Sequence, residues 1–263
     1  MAGGFGGLLA NSETVDRLLS EMDPADKKSL QSWYWFDWAN QAFALTVITV
    51  VVPTLLSNMF NLANGGSADY AGMTFTGDSF YAVVLGISSV FVAIVSPVLG
   101  AIADRMPIKK KVLKVYTVVG ILFTGLMGLA PYMDDNSSYK FLAVCLIMGN
   151  IGFAGGHAIY SAFLPYLGDK RLMDHISSWG YAYGFLGGCI LLTVHLAVGL
   201  RFGFENPDVQ CFVFVTSALW WLGFSVPMFR NTPEPEIPNP TEYPNVFEAV
   251  KDLSLIHISE PTR

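Results

Sequence analysis

Long apolar stretches alternate with short polar connections along this chain. Each stretch is about as long as the roughly 20 residues that a helix needs to cross a bilayer. Backbone inside lipid must satisfy its own hydrogen bonds, which favours helices, and the sequence lacks the short alternating segments typical of a membrane barrel. The pattern therefore predicts an all-α integral membrane fold with six transmembrane helices, over residues 33–58, 79–102, 112–132, 140–165, 176–200 and 207–229.

The composition agrees with a membrane protein. Of 263 residues, 52% are hydrophobic and only 14% are charged, whereas a soluble domain carries about 25% charged residues. The net charge of -6 offers no basic surface for nucleic acid. The three cysteines form no CxxC pair, so neither a metal site nor a disulfide framework is indicated, and no cofactor is expected.

The positive charges indicate the orientation. With residues 1–32 placed in the cytoplasm, nearly all lysines and arginines lie on the cytoplasmic side, and only Lys140 and Arg201 lie outside. The proline-rich segment 230–252 then begins a cytoplasmic loop. We expect a plasma (inner) membrane location if the source is prokaryotic.

Polar side chains cluster on two of the six predicted helices. On the first they recur at positions i, i+3 and i+4, and on the fourth at i, i+7 and i+11, so each set shares one helix face. Polar groups in a membrane helix usually face the bundle or a watery cavity, whereas the third and sixth helices are almost wholly apolar and are expected to face lipid. We predict a solute or proton pathway along Asp37, Asn40, Gln41, Asn150, His157 and Ser161.

Structural roles remain open for the two titratable groups in this set. Asp37 lies about one turn inside the cytoplasmic end, among tryptophans typical of an interfacial belt, and could simply reach water. His157 could titrate near physiological pH or be a neutral histidine hydrogen-bonded to another helix. His195, nearer the outer end of the fifth helix, is interpreted as structural.

Glycines spaced four residues apart predict close helix packing. They occur on the fourth and fifth helices, and no Lys-Ser or Lys-Thr pair follows them, so they form no phosphate-binding loop. ATP is therefore not expected to drive the protein directly. The packing glycines are Gly152, Gly156, Gly180, Gly184 and Gly188.

The loop GAIADRMPIKKK, residues 100–111, resembles the signature of the major facilitator superfamily between its second and third helices. Pro107 stands where a second glycine is usual, and Ile108 where a basic residue is common. The resemblance implies a cytoplasmic gate formed by Gly100, Asp104, Arg105, Lys109 and Lys110.

Two further stretches narrow the resemblance. WFDWANQAF is similar to the box that opens the vacuolar-effluxer-like branch, related to the autophagy-associated amino-acid effluxers, although Phe36 and Gln41 depart from it. AFLPYLGDKRLMDHISSWGYAYGFLGG resembles the passage from the fourth to the fifth helix in that branch. The resemblance implies the N-terminal half of a twelve-helix fold and secondary transport of a small solute, with amino acids, efflux and a proton gradient as branch-level expectations.

Two other classes of function stay open at the level of sequence. One is a membrane scaffold or receptor that moves no solute. The other is an intramembrane enzyme with Ser161 as nucleophile and His157 as base, but no nucleophile-elbow glycine pattern surrounds Ser161 and both residues share one helix. We predict that the protein is not an enzyme.

The last eleven residues, 253–263, read LSLIHISEPTR. Their back-translation resembles a transposase mosaic end followed by a sequencing-library adapter, so we exclude them from the fold. We therefore expect a truncated chain whose missing half supplies six more helices, and which alone would insert into a membrane without transporting.

Overall fold

A computed structural model describes residues 13–103 and 106–237. Within these residues six helices are long and apolar enough to cross a membrane, which confirms the predicted fold class. They are α1 (Pro24–Asn64), α2 (Gly77–Ala103), α3 (Lys109–Met127), α4 (Asp135–Ser161), α5 (Met173–Phe202) and α6 (Pro207–Asn231). Short 3₁₀ turns lie at Ala130–Tyr132, Leu164–Tyr166 and Lys170–Leu172.

Several helices extend beyond the predicted apolar windows because their first turns are polar. Asp23, Asp134 and Asn206 accept backbone N–H bonds at the starts of α1, α4 and α6, at 2.8, 3.1 and 2.9 Å. Such caps satisfy donors that a helix leaves unpaired. Helix α1 consequently begins at Pro24 rather than near residue 33.

Helix α1 is built from three pieces. An α-helix over Pro24–Gln41 continues as a π-helix over Ala42–Val51 and returns to an α-helix over Val52–Asn64. The Thr49 hydroxyl donates to the carbonyl of Ala44, five residues earlier, at 2.7 Å. Wide π turns are rare and often occur at functional sites.

A β-hairpin joins α1 to α2, which the all-α prediction did not include. Strands β1 (Ser67–Tyr70) and β2 (Met73–Thr76) pair in antiparallel register. Ala71 and Gly72, at φ of 52° and 78°, make the two-residue turn, because left-handed backbone at both positions matches the strand twist. We call this side of the bundle the hairpin face, and the opposite side, where α1 begins and α6 ends, the terminal face.

The helices pack as two groups of three: α1 lies against α5 and α6, and α4 lies against α2 and α3. The groups are joined where α3 meets α6 and where the last part of α1 meets α2 and α4. Helix α2 is the most exposed, with 11% of its apolar window buried, against 39% for both α3 and α6. Helices α3 and α6 are thus not the most exposed pair, because they pack against each other. The most exposed helix, α2, also has the most apolar window.

Two apolar clusters hold the bundle together. The larger surrounds Phe43, Leu142 and Trp221, and the second, toward the terminal face, surrounds Trp33 and Tyr160. The helical segment over residues 13–21 lies within the part predicted as a polar lead-in, and its apolar side chains pack on the second cluster. This end of the bundle is thus closed by packed side chains.

Candidate functional site

The three polar side chains predicted on the first helix are buried inside the bundle. Asp37, Asn40 and Gln41 expose only 3%, 1% and 9% of their surface. Oδ1 of Asp37 and Oδ1 of Asn40 have no hydrogen-bond partner within the described part of the chain. Buried polar atoms normally have partners, and a carboxylate at membrane depth is costly. Asp37 is therefore not an interfacial group that reaches water in this conformation.

Glycines of α5 bring that helix against this polar stripe. A Cβ added to Gly184 would lie 2.6 Å from Oδ2 of Asp37, and one added to Gly188 would lie 3.1 Å from Cβ of Gln41. A Cβ on Gly180 would meet the Trp33 ring at 2.5 Å. The small residues let α5 approach until the backbone covers the polar side chains of α1.

The tryptophans predicted as an interfacial belt make specific contacts between helices. Trp33 stacks on Tyr160 of α4 with ring centroids 4.3 Å apart. Its indole N–H donates to the carbonyl of Tyr160 at 3.2 Å, and the Tyr160 hydroxyl donates to the carbonyl of Trp33 at 3.3 Å. This reciprocal pair fixes α1 to α4 toward the terminal face.

The three residues predicted on the fourth helix lie in different environments. Asn150 is buried, and its Nδ2 donates to Oγ of Ser88 on α2 at 2.8 Å. His157 and Ser161 are exposed, and the Ser161 hydroxyl donates to the carbonyl of His157 at 2.9 Å. Helix α2 thus covers this face of α4 at Asn150, whereas the face is exposed at His157.

The close contacts of α4 involve its glycines and α3. A Cβ on Gly152 would lie 2.4 Å from the backbone nitrogen of Gly120, whereas one on Gly156 would lie 3.5 Å from Cβ of Tyr116. Gly152 is thus at a backbone-to-backbone crossing, and Gly156 makes an ordinary contact.

His195, which the sequence led us to interpret as structural, links three helices. Its ring is 2% exposed and hydrogen-bonds to Oγ1 of Thr46 on α1 at 3.3 Å and to Oγ1 of Thr216 on α6 at 2.8 Å. A signal was available, because His195 follows Gly188 by seven residues and so shares the face that packs on α1.

A cavity lies between α1, α5 and α6 on the side of the hairpin face. Its volume is about 330 Å³, and most of its lining is apolar. The polar or titratable lining residues are Thr54, Asn58, His195, Glu205 and Gln210. An apolar pocket of this size with a few polar groups has the character of a small-molecule site.

At the terminal face, the loop signature meets the segment that follows α6. Nζ of Lys109 donates to the carbonyl of Ala103 at 3.0 Å. The backbone N–H of Lys110 donates to Oε2 of Glu234 at 2.9 Å, and Nζ of Lys110 donates to the carbonyl of Thr232 at 2.7 Å. We call the contacts of Lys110 with Thr232 and Glu234 the linker bracket; the sequence did not predict it.

The other members of the predicted gate are Gly100, Asp104 and Arg105. Asp104 and Arg105 lie outside the described residues, as do residues 238–263 with the tail 253–263. Nothing lies within 4 Å of a Cβ added to Gly100. Among the residues that the structure does describe, His, Cys, Asp and Glu form no group of three that could hold a metal ion.

Six membrane-length helices with buried polar side chains define a multi-pass integral membrane protein, arranged as expected for half of a major facilitator fold. The sequence model of the family described as "Vacuole effluxer Atg22 like" matches residues 25–257, and the chain belongs to that family. The family resemblance predicted from the sequence is thereby confirmed, as is the prediction that this is a transporter-family protein rather than an enzyme.

Two individual relatives support the same family assignment. The chain is 28% identical over 213 residues to the uncharacterised MFS-type transporter YxiO of Bacillus subtilis, covering 78% of this chain and 46% of the relative. It is 22% identical over 234 residues to autophagy-related protein 22 of Kluyveromyces lactis, covering 77% and 46%. The chain thus spans about half the length of the curated relatives it matches. No solved structure matches it.

Proposed function

We propose that this chain contributes half of a secondary transporter that moves a small solute by alternating access. The observation that carries the proposal is the stripe of Asp37, Asn40 and Gln41, buried at membrane depth with unpaired oxygens on two of the three side chains. Polar groups in such a position are expensive and typically mark a transport pathway. A scaffold or receptor would have no need to keep them there.

The second half of the pathway would come from a further six-helix unit. The most exposed helix, α2, together with His157 and Ser161, would face that unit across a central cavity. In transporters built from repeats, the solute site lies between the halves near the midplane. Support for a longer protein comes from the relatives, of which this chain covers 45–46%.

The proposal includes an orientation. Lysines and arginines crowd the terminal face, with Lys109 and Lys110 beginning α3, whereas Lys140 and Arg201 are the ones assigned to the hairpin face. Positive charge favours the cytoplasmic side. We therefore place the terminal face in the cytoplasm, with the signature loop and the linker bracket at the cytoplasmic gate.

For the solute and its driving force, the family offers a direction to test. The family description names an effluxer, and we propose export of amino acids coupled to a proton gradient. Buried Asp37 could hold a proton or pair with an amino group of the solute, since a carboxylate can do either. Asn40 and Gln41 would orient the solute by hydrogen bonds.

The test uses the full-length protein in proteoliposomes and a panel of labelled amino acids. Asp37→Asn should lower transport about 10-fold or more, because hydrogen bonds to a charged group contribute about 1.5–3 kcal/mol. The matched control is Asp174→Asn, which alters an exposed carboxylate in the first turn of α5. Wild-type protein that is folded but moves none of these solutes would contradict the proposal and favour a scaffold.

A further inference from the structure

His195 connects three helices through one imidazole ring. It lies on α5 and reaches Thr46 in the π-helical part of α1 and Thr216 on α6. The edge of the Phe212 ring adds a perpendicular contact, with centroids 6.0 Å apart. The ring is therefore placed where helix α1 has its least regular backbone.

The hydrogen bonds assign the proton on the ring. The Thr216 hydroxyl donates its one hydrogen to the carbonyl of Phe212 at 2.6 Å. It must therefore accept from His195, so Nε2 carries the proton. Nδ1 of the neutral ring is then an acceptor, and the Thr46 hydroxyl donates to it. All polar atoms of the neutral ring are satisfied in this arrangement.

The cavity described above gives the ring a route to the hairpin face. His195 lies in its wall, while Asn58, Glu205 and Gln210 line it toward the ends of α1 and α5. Glu205 is exposed on the loop before α6. A polar chain of this kind can hold water between the surface and the ring.

Few charged groups lie near the His195 ring. Among the residues that line the cavity, Glu205 is the titratable group besides His195. Helices α1 and α6 present hydroxyls and the Phe212 ring to the imidazole, and Arg201 stands on α5 itself, exposed near its end. Asp37 precedes Thr46 by nine residues, or about 13 Å of helical rise. No described cation faces the cavity to oppose an arriving proton.

We propose that His195 is a proton-binding site entered from the hairpin face, and that its protonation reverses the hydrogen bond with Thr46 and so forces the Thr46 hydroxyl, in the π segment of α1, to change its partner. A hydronium ion in the cavity transfers its proton to Nδ1 and leaves water. Both ring nitrogens then donate, so Thr46 must rotate its hydroxyl away and can only accept. The proposal rests on the proposed transport function for its use in coupling, but the proton site itself does not.

The first test reads the proton directly, without transport. In full-length protein labelled with ¹⁵N-histidine, nuclear magnetic resonance at about pH 8 should show a neutral Nε2–H ring that disappears in His195→Gln. Thr216→Val should perturb that signal, whereas His175→Gln on the same helix should leave it unchanged. A neutral Nδ1–H ring at His195 would overturn the assignment and with it the proposal.

The second test separates coupling from binding in proteoliposomes. His195→Gln keeps hydrogen-bonding groups but cannot titrate, so solute accumulation driven by a pH gradient should fall about 10-fold while solute exchange at equal pH stays within about twofold. Retained accumulation, or an equal loss of exchange, would overturn the proposal. If wild-type protein moves no solute, the proposed function fails, and the same resonance signals followed to lower pH still decide whether the His195 ring takes up a proton.

Discussion

The two groups of three helices differ in how their central helix is held. Helix α4 meets α3 at a backbone crossing, where a Cβ on Gly152 would lie 2.4 Å from the nitrogen of Gly120, and its apolar window is 61% buried. Helix α1 instead meets α5 through the carboxyl group of Asp37 and a π segment, and it borders a cavity of about 330 Å³.

The difference teaches where this bundle can change shape. Close backbone contact at α4 leaves no alternative packing, since filled interiors are not continuously deformable. Around the π segment of α1 the hydrogen bonds to other helices are made by a threonine hydroxyl and an imidazole, which can exchange partners. We infer that α4 is a fixed element and the π segment of α1 a movable one. The first of the three predictions below tests that division directly, and the other two test contacts at the ends of α3 and α4.

The largest effect is expected at the α4 crossing. Gly152→Ala should destabilise the bundle by about 1–3 kcal/mol, because the new methyl group meets the Gly120 backbone and must force the helices apart. Gly184→Ala should cost less, because the nearest atoms belong to the Asp37 side chain, which can turn. Thermal unfolding in detergent measures both.

The control for that pair is Gly223→Ala, whose added Cβ has nothing within 4 Å. It should be neutral or stabilising by about 0.5–1 kcal/mol, the usual advantage of alanine over glycine in a helix. Equal losses for Gly152→Ala and Gly184→Ala would contradict the idea that one helix is fixed and the other movable.

A smaller effect is expected where α3, the partner of α4, begins. Glu234→Ala removes the carboxylate that accepts the Lys110 backbone N–H, and it should cost about 1 kcal/mol, since a negative charge at a helix start is stabilising. Glu236→Ala, exposed two residues on, is the matched change and should cost little. Chemical unfolding monitored by tryptophan fluorescence would compare them; equal losses would argue against a specific cap.

The smallest effect concerns the loop between α4 and α5. Hydrogen bonds from Arg171 lower the pKa of the Asp169 carboxyl. The folded pKa lies below the unfolded value of about 3.9, so this stabilisation is present above that pH and is lost as the pH falls below it. Asp169→Asn should therefore slightly lower the unfolding temperature at pH 7 and flatten its decline below about pH 4.

Asp174→Asn provides the comparison for Asp169, because it removes a nearby exposed carboxylate for which no Arg171 bond is observed. If both variants show the same pH profile, the Arg171 bond is not the cause. The effect is small in either case because the pair is exposed and solvent screens it.

Apolar length predicted the six helices, and spacing on the helix predicted that Asp37, Asn40 and Gln41 share a face. The hairpin was missed because its strands carry four residues each and have no membrane-length signal. The π segment was missed because its residues, AFALTVITVV, are as apolar as those of any membrane helix. The amino-acid composition does not show whether backbone hydrogen bonds span four residues, as in an α-helix, or five, as in a π-helix.

Depth along a helix did not predict which histidine is buried. His157, deep in its helix, is exposed, whereas His195, nearer an end, is buried because α1 and α6 both contact it. The burial of a side chain depends on which other helices pack over it, and those helices can be distant in sequence. The role of either histidine in transport stays a prediction.

The linker bracket has a practical consequence for anyone who wishes to cut or extend this protein. Because Thr232 and Glu234 are tied to the start of α3, and the Thr232 hydroxyl also donates to the carbonyl of Ser29 at 3.3 Å, the residues just after α6 are part of the bundle rather than slack tether. A fluorescent reporter or protease site inserted at 232–234 would disrupt the contacts of this segment with both α1 and α3. Designs that split the protein into two chains should leave the linker bracket intact and place their junction after residue 237.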